Sequence, residues 1–108
     1  MGNMMNMMKL MKQAASMQKD MERLRAELAE RRVEFSSGGG MVTATATADG
    51  TLVGIKLDPR VVNPRETELL EDLIVAAVDG ALKKGQEVAA AEMQKVTAGL
   101  GGLLGMGG

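Results

Sequence analysis

The chain has 108 residues, a formal net charge of −1, no Cys, no His and a single aromatic residue, against 11 Met and 14 Gly. Without imidazole or thiol there is no general base or nucleophile of the usual kind and no N/S zinc site. No disulfide can form either, which suits a cytosolic compartment. Only 24 residues are Val, Leu, Ile or Phe, so the core rests on Ala and Met, and a lone domain this thin calls for further burial against a second copy.

Residues 4–35 read as one long helix. Met7, Leu10, Ala14, Met17, Met21, Leu24, Leu28 and Phe35 recur in steps of three and four, with Arg31 the one charged position in the series. Thirty residues of helix span ~45 Å, more than a small core can cover, so part of it should project or pack along another helix. The segment Arg32–Ser37 also reads as a first strand, which leaves the helix–strand boundary open. Ser36-Ser37-Gly38-Gly39-Gly40 cannot continue a helix cheaply.

Met41 to Ala48 alternates with period two, placing Val42, Ala44, Ala46 and Ala48 on one face and Met41 with three Thr on the other. Asp49-Gly50 signals a two-residue hairpin, with Thr51–Leu57 as the returning strand. Asp58-Pro59 ends that strand. A second helix then starts with Asn63 as N-cap, Pro64 in its first position and Glu66 as the capping-box acid. Its inner side carries Leu70, Leu73, Ile74, Ala77, Ala81 and Val88, and Gly80 and Gly85 weaken it locally. The expected architecture is α+β: a long N-terminal helix, a three-stranded antiparallel meander and a long C-terminal helix. Residues 1–98 form one domain, and the Gly-rich residues 99–108 read as a disordered tail.

The Met-, Lys- and Gln-rich helix, then Gly38-Gly39-Gly40-Met41-Val42, Ile55-Lys56-Leu57-Asp58-Pro59 and Leu70-Glu71-Asp72-Leu73-Ile74-Val75-Ala76-Ala77 together resemble the YbaB/EbfC family. These are small bacterial nucleoid-associated DNA-binding proteins. The resemblance runs from about Met4 to Ala98. It implies a homodimer joined through its sheets, with helices projecting as paired arms. It also implies duplex DNA as the partner, little sequence preference, a cytoplasmic, nucleoid-associated location and no enzymatic activity. Two departures stand out. Thr43 to Thr47 carries no charge where family members often do, and Asp79-Gly80 replaces a frequent Asn-Asp pair.

Charge distribution tells where DNA could be held. Residues 1–35 carry seven cations and five acids, residues 36–62 balance, and residues 63–108 carry four cations and seven acids. The excess acid lies mainly at the start of the second helix, where it suits the helix dipole. At 100° per residue, Lys9, Lys12, Lys19 and Arg23 cluster away from the Met/Leu seam, and no acid precedes Asp20. Farther along, Arg23 can pair with Glu27 and Glu27 with Arg31 at i,i+4 spacing. Lys83, Lys84 and Lys95 on the second helix are expected to converge with the first set near the arm tip if the helices pack antiparallel. Phosphate contact by these seven residues, without base stacking or a recognition helix, is the expected mode.

Other constellations are weaker. Met4, Met5, Met7, Met8 and Met11 could ligate Cu(I), but a pliable packing surface explains them better, and a Met-rich helix that grasps protein partners is the alternative function. Glycines 38–40 lack the Gly-Lys-Ser/Thr of a phosphate loop. Glu71-Asp72 and Asp58 are better read as capping and solvated acids than as a metal site. Ser16, Ser36 and Ser37 have no base to activate them. No small-molecule substrate or cofactor is expected. Nor is a membrane span, because no uncharged stretch approaches ~20 apolar residues. Lys9 and Lys12 interrupt any signal-peptide core, and Asn6 stands where a myristoylation site needs Ser or Thr.

Overall fold

The computed structural model describes residues 3–103, with side chains described for residues 3–98. Helix α1 (Asn3–Glu30) leads into strands β1 (Arg32–Ser37), β2 (Val42–Thr47) and β3 (Leu52–Leu57), followed by helix α2 (Thr67–Leu103). The strands form one antiparallel sheet in the order β1-β2-β3. The expected α+β architecture is therefore what the chain adopts. Helix α2 runs past the Ala98 boundary read from the sequence; residues 1, 2 and 104–108, including the Met1-Gly2 start and the end of the Gly-rich segment, lie outside the described residues.

The open boundary falls on the strand side. Helix α1 ends at Glu30, five residues before Phe35, and β1 pairs with β2 from Arg32↔Thr47 to Ser37↔Val42. As a strand, this segment turns Val33 and Phe35 toward α2; a continued helix would leave β2 unpaired along one edge. The Arg31 carbonyl accepts from the Ala48 N–H at 2.9 Å, fixing the point of exit. Gly38, Gly39 and Gly40 then turn the chain at φ of +60°, +66° and +93°, three left-handed residues in succession that only glycine adopts cheaply.

Two turns differ from their sequence readings. At Asp49-Gly50 only Gly50 has positive φ, the Gly50 N–H reaches the Thr47 carbonyl at 3.1 Å, and the Thr47 N–H reaches the Thr51 carbonyl at 2.8 Å. The turn is thus wider than two residues. A two-residue type I′ turn needs both central residues at positive φ, and Asp49 stays at negative φ while its carboxylate accepts from the Thr47 hydroxyl and the Thr51 N–H. After β3, the Asn63 side chain accepts from the Arg65 N–H at 3.0 Å, and the Glu66 N–H donates to the Asn63 carbonyl at 2.9 Å. Asn63 therefore organises a separate turn, and α2 begins one turn later, where the Leu70 N–H reaches the Glu66 carbonyl.

The core is a close contact between small residues. Val42, Ala44 and Ala46 on β2 and Ala77 and Ala81 on α2 are fully buried, joined by Val33 and Val61 and flanked by Leu70, Leu73, Ile74 and Val78. Ala opposite Ala lets helix and sheet approach closely, so few bulky side chains are needed to exclude water. Ser37 ties the sheet to the helix by donating its hydroxyl to the Leu73 carbonyl at 2.6 Å.

Beyond the sheet the molecule narrows to an arm. Gly85 passes Val33 and the Thr47 carbonyl, Glu92 pairs with Arg31, and Leu24 and Leu28 are buried with Ala48 against Met21, Val88, Ala89 and Val96. Residues 88 to 96 of α2 thus run antiparallel to residues 28 to 21 of α1. Met4, Met7, Leu10 and Met17, farther out on α1, are exposed. The radius of gyration is 21.1 Å and the extents are 78 × 25 × 17 Å, against about 13 Å for a compact chain of 100 residues.

Candidate nucleic-acid interface

Helix α1 presents its cations on a free surface. Lys9, Lys12, Lys19 and Arg23 are all exposed, and none makes an ion pair among the described residues. The expected Arg23–Glu27 and Glu27–Arg31 pairs do not form. Arg31 lies just past the end of α1, so the i,i+4 geometry with Glu27 is lost. Its guanidinium instead reaches Glu92 on α2 at 3.2 Å.

The cations of α2 are differently engaged. Lys83 pairs with Asp79 at 3.0 Å, Lys84 donates to the Glu34 carbonyl at 3.1 Å, and Lys95 pairs with Glu92 at 3.2 Å. Lys95, and then Arg31, hold the Glu92 carboxyl below its ordinary range. Lys84 is bound to the outer edge of β1, so Lys83 and Lys84 sit beside the sheet at the root of the arm. The expected convergence at the tip is therefore not what the structure has: 11 residues of α2 separate Lys84 from Lys95, or ~16 Å of helix, and even Lys95 lies on the inner half of the arm.

Sequence reasoning passed over Arg25, which falls on the other flank of α1. On a projecting arm both flanks are wet, and Arg25 is exposed without an ion pair among the described residues. The signal was the helix length itself: a helix too long for its core leaves more than one side for a partner. Arg32 and Lys56 are also exposed, on β1 and β3.

The sheet ends in two different ways. On β1, Lys84 occupies an edge carbonyl. On β3 the edge is bare. Leu52, Ile55 and Leu57 pair with Ala46, Ala44 and Val42 and so share their face, but α2 lies mainly over β1 and β2 and leaves these three 41%, 40% and 37% exposed. Val62, just beyond, is also exposed.

No group of three or more His, Cys, Asp or Glu that could hold a metal ion occurs among the described residues. Among them, no helix is long and apolar enough to cross a membrane.

Comparison with known proteins adds the family. A model of the YbaB/EbfC DNA-binding family matches residues 2–100. A nucleoid-associated protein of Acetivibrio thermocellus is 50% identical over 101 residues, covering 94% of this chain and 89% of the relative. One from Ruminiclostridium cellulolyticum is 48% identical, covering 94% and 88%. The crystal structure of an uncharacterized protein from Helicobacter pylori shares the fold with a TM-score of 0.63 at 20% identity, covering 84% of this chain and 91% of that one.

Proposed function

The chain belongs to the YbaB/EbfC DNA-binding family and is a nucleoid-associated DNA-binding protein, and from that premise we propose that it grips duplex DNA as a homodimer through phosphate contacts with little sequence preference. One observation carries the reading: the cations of α1 are exposed and unpaired among the described residues, whereas Lys83, Lys84 and Lys95 already have partners within the chain. Free cations displace counterions from phosphates and supply most of a non-specific affinity; cations neutralised by acids contribute less. Lys9, Lys12 and Lys19 lead, with Arg23 and Arg25 beside them and Lys83, Lys84 and Lys95 in a secondary role.

Low specificity follows from what the arm lacks. Its cations are spread along a helix whose exposed acids, Asp20, Glu22, Glu27 and Glu30, all lie in its inner half, with no aromatic platform for unpaired bases. The uncovered apolar face of β3 supports the homodimer, since a row of half-exposed Leu and Ile beside a bare sheet edge is a surface that pairs. Association with DNA implies a nucleoid location. A salt titration of binding to two unrelated duplexes tests the reading. Equal affinities that fall steeply with salt are expected, together with loss of most binding when Lys9, Lys12 and Lys19 are replaced by Glu. Salt-independent binding, or unchanged affinity in that variant, would move the interface elsewhere.

A further inference from the structure

The arm tip and the start of α2 lie at opposite ends of a molecule 78 Å long, and their surfaces are complementary. At the tip, Met4, Met5, Met7 and Met8 are 59–78% exposed, and the nearby charges are Lys9 and Lys12, with no acid before Asp20. At the start of α2, Leu69 and Val75 are 51% and 67% exposed on the side of the helix away from the sheet. Spacing places Glu68 and Asp72 between them on that surface. Neither acid makes an ion pair among the described residues. The face runs on past Ala76 into an open groove beside the ring of Phe35.

We propose that the methionine-lysine tip of one copy docks on the Leu69–Asp72–Val75 face of α2 in another copy, joining molecules tip to base. Methionine side chains are flexible enough to fit a shallow, irregular apolar surface, and a helix laid on such a surface is a common recognition mode. The charges select the pairing. A tip meeting another tip sets Lys against Lys, and a base meeting another base sets Glu and Asp against their like. Only tip on base matches both the apolar and the charged parts. Because the two surfaces differ and lie far apart on one chain, the contact is heterologous and joins molecules into rings where the rotation closes and into open-ended assemblies where it does not. The acceptor face looks away from the sheet, so pairing through β3 leaves it free. Lys9 and Lys12 serve in both contacts, which sets assembly and DNA binding in competition.

Sedimentation of the full chain across a concentration series, with no DNA present, tests this separately from the DNA reading. The wild type should form species of about twice the dimer mass or more as concentration rises. The Glu68→Lys/Asp72→Lys variant and the Lys9→Glu/Lys12→Glu variant should each lose these species. Mixing the two variants should restore them, since the reversed tip then fits the reversed base. Far-UV circular dichroism of each variant establishes that these exposed positions leave the fold intact. A wild type that stays at one mass at its highest soluble concentration overturns the proposal. So do larger species that persist in Glu68→Lys/Asp72→Lys, which would mean tip-to-tip packing, and a mixture that fails to recover.

Discussion

The ring of Phe35 on β1 lies against the backbone of Gly80 on α2, where a Cβ would run into the ring atoms. A glycine in mid-helix costs ~1 kcal/mol relative to Ala, and here the space it leaves is filled by the ring. Gly80→Ala therefore sets a gain in helix propensity against overpacking of ~1–3 kcal/mol. Phe35 is 43% exposed and can swing partly outward, which keeps the penalty near the lower end. Urea unfolding should show Gly80→Ala destabilised by ~1 kcal/mol in the wild-type background. In a Phe35→Ala background the same change should stabilise by up to ~1 kcal/mol. An equal effect in both backgrounds would refute the contact.

That pair also marks what the sequence could and could not disclose. Periodicity placed Val42, Ala44, Ala46 and Ala48 on one face of the Met41–Ala48 segment, and all four are buried. It placed Ala77 and Ala81 on the inner side of α2 for the same reason. Gly80 read only as a weak point, because its role depends on a side chain 45 residues away. The ion pairs failed similarly. Spacing along one helix suggests Glu27 for Arg31, but where a helix stops is decided by strand pairing with β2, and the true partner, Glu92, is brought up by the course of α2. For the candidate interface, composition and helical phase identified the cations; which of them are free is a tertiary fact.

Freedom of the cations makes a graded prediction for DNA. Replacing Lys9, Lys12 and Lys19 by Gln removes three unpaired charges per chain, and each phosphate contact contributes about 0.9 to the slope of log affinity against log salt. In a dimer with all six engaged, the slope should fall by about five. Replacing Lys83, Lys84 and Lys95 by Gln should lower it far less, because Asp79, the Glu34 carbonyl and Glu92 hold those groups already. Equal slopes for the two triple variants would place the interface along the whole molecule.

The turn after β3 predicts an acid limb. Arg60 donates to Asp58 from its side chain at 2.8 and 3.1 Å and from its backbone N–H at 2.9 Å, holding the Asp58 carboxyl down at about 2. A carboxyl whose folded value lies below its unfolded value, roughly 3.9, contributes stability that is complete above the unfolded value. That contribution is lost as pH falls toward the folded value, so the window runs from about pH 4 to about pH 2. Thermal melts across it should show a shallower decline for Asp58→Asn than for the wild type. Arg60→Gln should raise the Asp58 titration midpoint in carboxyl NMR; an unmoved midpoint would exclude Arg60 as the cause.

The exposed face of β3 yields the last prediction. Ile55 is 40% exposed and lies on the same side of the sheet as Ala44, beyond the cover of α2. A charge there stays in water within a single subunit, so Ile55→Lys should leave far-UV circular dichroism unchanged. In a two-fold dimer each patch meets its own copy, and residues near the axis face their equivalents. Ile55→Lys then buries two like charges where two apolar side chains met, and desolvation adds to their repulsion. Sedimentation should report half the wild-type mass at concentrations where the wild type is a dimer. The salt slope of DNA binding should fall by about half in the same variant, since each particle carries one arm's cations instead of two. A folded Ile55→Lys protein that keeps the dimer mass would move the joint away from β3.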